Sequence, residues 1–143
     1  MSWDDDEATR INQIGPGLVI LIGIGPEDTT TIADRMVEKV AGLRIFADDG
    51  GRFNRSLEDV AGDALVVSQF TLYANTTRGR RPSFISAGDP AVAEGLYERF
   101  AARLAERGLN VKTGSFGAHM TVSLENDGPV TIALSSENWN TLV

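Results

Sequence analysis

A chain of 143 residues is one domain's worth and long enough to bury roughly 70% of the surface its unfolded form exposes. Its 42% hydrophobic and 23% charged residues place it far from disordered or collagenous compositions, and the lack of cysteine excludes disulfides, thiolate metal sites and cysteine nucleophiles together. Thirteen basic against twenty acidic side chains give a formal charge of −7, which argues against indiscriminate binding to nucleic acid, DNA included, and leaves room for a local anion site.

The N-terminus reads as an irregular acidic start, with Asp4, Asp5, Asp6 and Glu7 in one run. Gly15-Pro16-Gly17 is turn chemistry, and residues 18–24 (LVILIGI), bounded by Gly25-Pro26, suit a short buried strand. That run is too short to span a bilayer, and an acidic N-terminus is unlike a signal peptide, so a soluble, cytoplasmic protein with no membrane partner is expected. Asp28 or Thr29 can cap a helix over about 28–42, with Ile32, Met36, Val37 and Val40 on one stripe and its end near Gly42. Residues 44–46 predict a short strand running into the hairpin-type turn Asp48-Asp49-Gly50-Gly51.

The run 64–74 (ALVVSQFTLYA) reads as the best strand, with Leu65, Val67, Gln69, Thr71 and Tyr73 on one face and Val66, Ser68, Phe70 and Leu72 on the other. After an irregular polar stretch, Asp89-Pro90 opens a helix over about 89–107. Its stripe is Val92, Leu96, Tyr97, Phe100 and Leu104, and Gly108 closes it. Phe116, Ala118, Met120, Val122 and Leu124 recur at period two, Asn126-Asp127-Gly128-Pro129 is a turn cluster, and residues 130–134 predict a final strand. With no repeat or linker, residues 1–143 read as a single α/β domain, α+β-like, with two main helices.

The sequence has no GxSxG, no Walker loop, no HExxH and no GxGxxG after a strand. The single histidine, His119, falls on the face opposite Phe116, Ala118 and Met120, which suits solvent better than a catalytic triad. Three segments stand out. Ser68, Gln69 and Thr71 place polar groups inside an apolar run, where each costs about 1–3 kcal/mol if buried unpaired; they need backbone partners, an edge open to water, or a ligand. Arg78, Arg80 and Arg81 lie within four residues and read either as a solvated loop or as a phosphate grip. Residues 126–129 read as a tight turn unless something else claims them.

These segments carry a resemblance. Ser68-Gln69-Phe70-Thr71-Leu72-Tyr73-Ala74, then Arg81-Pro82-Ser83-Phe84, then Asn126-Asp127-Gly128-Pro129-Val130-Thr131 resemble the D-aminoacyl-tRNA deacylase family, and the likeness runs in order from Ile14-Gly15-Pro16-Gly17 to about Leu134. The resemblance implies a single domain with a mixed, strongly curved or barrel-like sheet, acting as a homodimer without metal or other cofactor. It implies hydrolysis of the ester between a D-amino acid, or glycine mischarged on tRNA-Ala, and the 3′-terminal adenosine of tRNA. Ser68, Gln69, Phe70 and Thr71 would line the catalytic pocket. Gly128 and Pro129, joined by a cis bond and supplied by the partner subunit, would exclude L-amino acids, with Val130, Thr131, Phe84, Ala87 and Met120 completing the substrate contacts. Arg78, Arg80 and Arg81 would hold acceptor-stem phosphates. The family's usual first strand is missing before Ile14, and the tail 135–143, with Trp139, could fill part of the gap. The alternative reading is a catalytically impaired relative acting as a dimeric tRNA-binding or interaction domain.

Overall fold

The structure, a computed structural model, describes residues 1–137; the tail from 138, including Trp139, lies outside the described residues. The acidic start is not irregular. β1 (Ser2–Asp4) and β2 (Thr9–Ile11) pair antiparallel, Ser2 opposite Ile11 and Asp4 opposite Thr9. Asp5 makes the turn between them: its Oδ1 accepts the Glu7 and Ala8 N–H groups at 3.0 and 2.9 Å, and its other oxygen pairs with Arg10. Arg10 first, then those backbone N–H groups, hold the Asp5 carboxyl down to about 2. A run of acids thus serves as a turn because one carboxylate satisfies three donors.

β3 (Gly17–Ile22) follows the glycine-proline turn, and α1 (Thr30–Gly42) is capped by Thr29, whose hydroxyl accepts the Ile32 N–H. β4 (Phe46–Ala47) and β5 (Phe53–Arg55) form the expected hairpin, with Asp48 Oδ1 accepting from Gly50 and Arg52 N–H across the turn. β6 (Asp63–Ser68) is the central strand of a parallel sheet ordered β3, β6 and then β7 (Val111–Thr113). Between them runs α2 (Pro90–Ala105), capped by Asp89, and Gly108 ends its trailing turn at φ +85°. β8 (Met120–Thr121) pairs with β1, giving a second sheet ordered β2, β1, β8.

β6 organises the layers. Ala64 to Val67 are all buried, as a central parallel strand requires, and the pleat sends alternate residues to opposite sides. Ala64 and Val66 join Val37, Val40 and Ala41 of α1, Leu57, and Tyr97, Phe100 and Leu104 of α2. Leu65 and Val67 pack on the other side with Met1, flanked by Trp3, Val19, Met120 and Val122. Each buried Val, Leu, Phe or Met among them contributes about 1.5–3 kcal/mol. The Tyr97 hydroxyl donates to the Val66 carbonyl at 3.1 Å, so this buried polar group is satisfied. Arg99 on α2 grips Asp34 on α1 with two bonds of 2.7 and 2.8 Å.

Three further expectations are corrected. The run 64–74 stays a strand only to Ser68, because its neighbour β3 ends at Ile22, the partner of Ser68, and nothing remains to pair with. The period-two segment 116–124 supplies only the two residues of β8; residues 115–118 turn instead, closed by the Ala118 N–H on the Ser115 carbonyl, with Gly117 at φ +76°. Residues 130–134 form no strand: they find no neighbouring ladder among the described residues. The domain is mixed α/β with two main helices, as expected, and its strands form three sheets of three, three and two, none of them closed into a barrel among the described residues.

Candidate functional site

The point at which β6 loses its partner is where the polar residues gather. The Gln69 N–H still donates to the Ile22 carbonyl at 2.8 Å, and the chain then coils into a 3-10 turn (Phe70–Tyr73), with Leu72 N–H on the Gln69 carbonyl and Ala74 N–H on that of Thr71. This turn lifts Phe70, Thr71 and Leu72 to the surface; Phe70 is 60% exposed despite its size. The Gln69 amide donates to the Thr71 hydroxyl oxygen. A hydroxyl that accepts from an amide keeps its own proton free to donate outward, and that amide cannot take the proton away. Thr71 thus keeps a free proton, and no Asp, Glu or His is hydrogen-bonded to its hydroxyl among the described residues. His119 is exposed and bonded to none of these groups among the described residues.

Tyr73 fixes the far end of the turn. Its ring lies over the 23–25 segment so closely that a Cβ on Gly25 would stand 2.5 Å from its hydroxyl. Burial, then the charges of Asp28 and Glu137 and a hydrogen bond to Asp28, push the Tyr73 hydroxyl up from its ordinary value. Asp28 also accepts the Gly25 N–H at 2.7 Å and the Ser136 hydroxyl at 3.3 Å, tying the segment after β3, the polar turn and the start of the tail into one knot.

The next segment folds back. Asn75 and Ser83 exchange two backbone hydrogen bonds, 2.7 and 2.9 Å, closing a loop that contains Arg78, Arg80 and Arg81. Phe84, half-buried, meets Phe70 edge to face with ring centroids 5.1 Å apart, so the loop's base is clamped to the polar turn. Ala87 is half-buried behind it, its N–H on the Phe84 carbonyl. The structure thus brings together Ser68, Gln69, Phe70, Thr71, Phe84 and the arginine loop.

The other expected site residues lie apart within this one chain. Met120 packs with Met1, Leu65 and Val67 on the far side of β6. Gly128 and Pro129 are exposed, joined by a cis peptide bond, with Gly128 at φ +132°, a conformation that L side chains rarely adopt. Asn126 braces this loop: its carbonyl oxygen accepts the Val130 N–H and its amide donates to the Thr131 hydroxyl, both at 3.1 Å. No hydrogen bond or ring contact joins residues 126–131 to residues 68–71 among the described residues. The residues that sequence reasoning missed here are Tyr73, Gly25 and Asp28, whose signal is only spatial: a glycine pair opposite a tyrosine some fifty residues away.

Helices on one face of a three-stranded parallel sheet, with a polar strand end opening beside a basic loop, define a small α/β domain. The chain belongs to the D-Tyr-tRNA(Tyr) deacylase family, whose model matches residues 5–135. It is 60% identical over 126 residues to the D-aminoacyl-tRNA deacylase of Roseiflexus castenholzii, covering 88% of this chain and 80% of that one. It is 50% identical to the protein of that name from Thermotoga petrophila, covering 91% and 87%. Among solved structures, one described as c-Myc DNA Unwinding Element Binding Protein superposes with a TM-score of 0.83 at 40% identity, covering 94% of this chain and 91% of that one. A probable eukaryotic D-amino acid tRNA deacylase shares the fold, with a TM-score of 0.64 at 21% identity over 74% and 77%. No helix among the described residues is long and apolar enough to cross a membrane.

Proposed function

We propose that this chain hydrolyses the ester bond of D-aminoacyl-tRNA, releasing the amino acid and free tRNA, and extends the same reaction to glycine mischarged on tRNA-Ala. The observation that carries the reading is the Gln69 to Thr71 hydrogen bond at the end of β6, in a chain 50–60% identical to relatives named for this activity. Thr71 orients and donates to the ester oxygen; Phe70 offers its exposed face to the terminal adenine, with Ser68 and Gln69 along the pocket floor. Water attacks the ester carbonyl, assisted by the vicinal hydroxyl of the substrate's own ribose. The tetrahedral intermediate collapses with the ribose oxygen leaving and taking a proton. The protein positions the reactants and stabilises charge, and supplies no covalent intermediate.

Chirality comes from a second copy of the chain. The partner's Gly128-Pro129 loop would close over the Phe70 to Thr71 segment, its carbonyls capturing the amino group and leaving no space for an L side chain, with Val130, Thr131, Phe84 and Ala87 completing the wall. Its exposure here, and that of Leu21, Phe70, Leu72 and Ile85, 92% exposed in the last case, support a face that a second copy covers. Arg78, Arg80 and Arg81 are the loop's contribution to the tRNA backbone. Release of D-tyrosine from D-tyrosyl-tRNA by the purified chain tests the reading; tRNA binding without release would favour a noncatalytic tRNA-binding domain.

A further inference from the structure

The arginine loop holds two different kinds of arginine. Arg78 and Arg81 line an open cleft of about 410 Å³ with Asn75, Thr77 and Ser83, and Arg80 does not. The lining contains no carboxylate. Residues 64–88 carry three arginines and no Asp or Glu, although the whole chain has twenty acids in 143 residues. Arg10, Arg55, Arg99, Arg103 and Arg107 each meet a carboxylate, whereas Arg78 and Arg81 have no ion pair or side-chain hydrogen bond among the described residues. In a chain of net charge −7, two unneutralised guanidiniums in one concave place make a local anion site.

The cleft is braced. Its neck is the pair of backbone bonds between Asn75 and Ser83, and Asn75 Oδ1 accepts both the N–H and the hydroxyl of Thr77 at 3.0 and 2.7 Å. That leaves the guanidiniums, the Asn75 amide and the Ser83 hydroxyl as donors, a set that suits a tetrahedral oxyanion. Its position is also fixed relative to the polar turn: Asn75 lies four residues past Thr71, and Phe84, next to Ser83, is locked against Phe70.

We infer that Arg78 and Arg81 form a phosphate subsite for the phosphodiester on the 5′ side of the terminal adenosine. This deepens the deacylase reading and rests on it: if Phe70 and Thr71 hold the terminal nucleoside and its ester, the 5′-phosphate is the nearest anion of the substrate. The subsite reads no base and anchors the end of the acceptor strand, so that the ester stays in register with Thr71.

Two small esters isolate that single charge: 2′(3′)-O-D-tyrosyl-adenosine, and the same compound carrying a 5′-monophosphate. The wild-type chain should cleave the phosphorylated ester with kcat/KM about tenfold higher, the effect of a charge-assisted hydrogen-bond pair. In Arg78→Ala/Arg81→Ala the gain should vanish, and in Arg78→Lys/Arg81→Lys it should return in part. A phosphate gain that is absent in the wild type, or that survives in the double alanine variant, overturns the subsite while leaving the deacylase reading intact. If neither ester is cleaved, the deacylase reading fails, and calorimetry with adenosine and adenosine 5′-monophosphate still decides on the subsite. Equal affinities would overturn it, and tighter binding of the monophosphate that is lost in the double variant would uphold it.

Discussion

Phe70 and Phe84 meet edge to face, their ring centroids 5.1 Å apart and their planes at 73°. Thirteen residues lie between them in the chain, so this contact is what couples the strand end to the basic loop. Such a pair contributes about 0.5–1.5 kcal/mol beyond the area it buries. Phe84→Ala should therefore raise KM for aminoacyl-tRNA by roughly 2–10-fold. With Phe70 already mostly in solvent, the melting temperature should move little. Steady-state kinetics alongside thermal unfolding separate the two effects.

Thr71 accepts from Gln69 and keeps its own proton free, and the proposed orienting role sets the size of its effect on catalysis. Losing one such donor costs at most about 10²–10³ in kcat, whereas losing a true nucleophile costs about 10⁶. Thr71→Ala should fall within the first range and Thr71→Ser should recover most of the activity. His119→Ala should be silent. D-aminoacyl-tRNA ending in 2′-deoxyadenosine should react far more slowly than the natural substrate. A normal rate on the deoxy substrate together with a dead Thr71→Ala would place Thr71 in covalent or base-activated chemistry instead.

Gly25 exists to admit Tyr73. A Cβ there would stand 2.5 Å from the hydroxyl and 2.8 Å from the ring carbon that bears it. Gly25→Ala should destabilise by about 1–3 kcal/mol, as overpacking does, and Tyr73→Leu should weaken that penalty in a double-mutant cycle. Additive effects would show that the two positions do not share the same space. Because the knot also holds the 3-10 turn, Gly25→Ala should lower kcat as well as stability.

What the sequence made legible divides along physical lines. Both helices could be read because their signals are local: Thr29 and Asp89 cap, Pro90 opens, and Gly108 ends the turn after α2. The end of β6 at Ser68 could not be read, since the residues after it look like strand and only the loss of β3 as a neighbour stops them. The hairpin of β1 and β2 was hidden for the opposite reason: four consecutive acids look like solvated coil until Asp5 is seen to collect three donors. The site residues in 68–71 were suspicious as polar groups in an apolar run, yet their grouping with Phe84 and the arginine loop came from family resemblance. No periodicity predicts a ring contact between Phe70 and Phe84.

The Asp34 to Arg99 pair gives a pH signature. The Arg99 hydrogen bond holds the Asp34 carboxyl below its ordinary value of 3.8. A carboxylate whose folded pKa is depressed stabilises the fold above its unfolded value, and loses that contribution as pH falls through the folded one. Asp34→Asn should melt lower than wild type near neutral pH, and the difference should shrink steadily below pH 3.8. Because the pair is partly exposed, added salt should also narrow it. A difference that is constant with pH would mean that Asp34 acts through packing alone.

Chiral selection is the sharpest property of the proposed site, and it is read most directly from the rate of ester hydrolysis on D-tyrosyl-tRNA and L-tyrosyl-tRNA in parallel, with the same preparation of the chain. The D-ester should be cleaved with the L-ester left at its spontaneous rate. Equal cleavage of both would contradict the composite Gly128-Pro129 pocket, and cleavage of neither would contradict the deacylase reading itself.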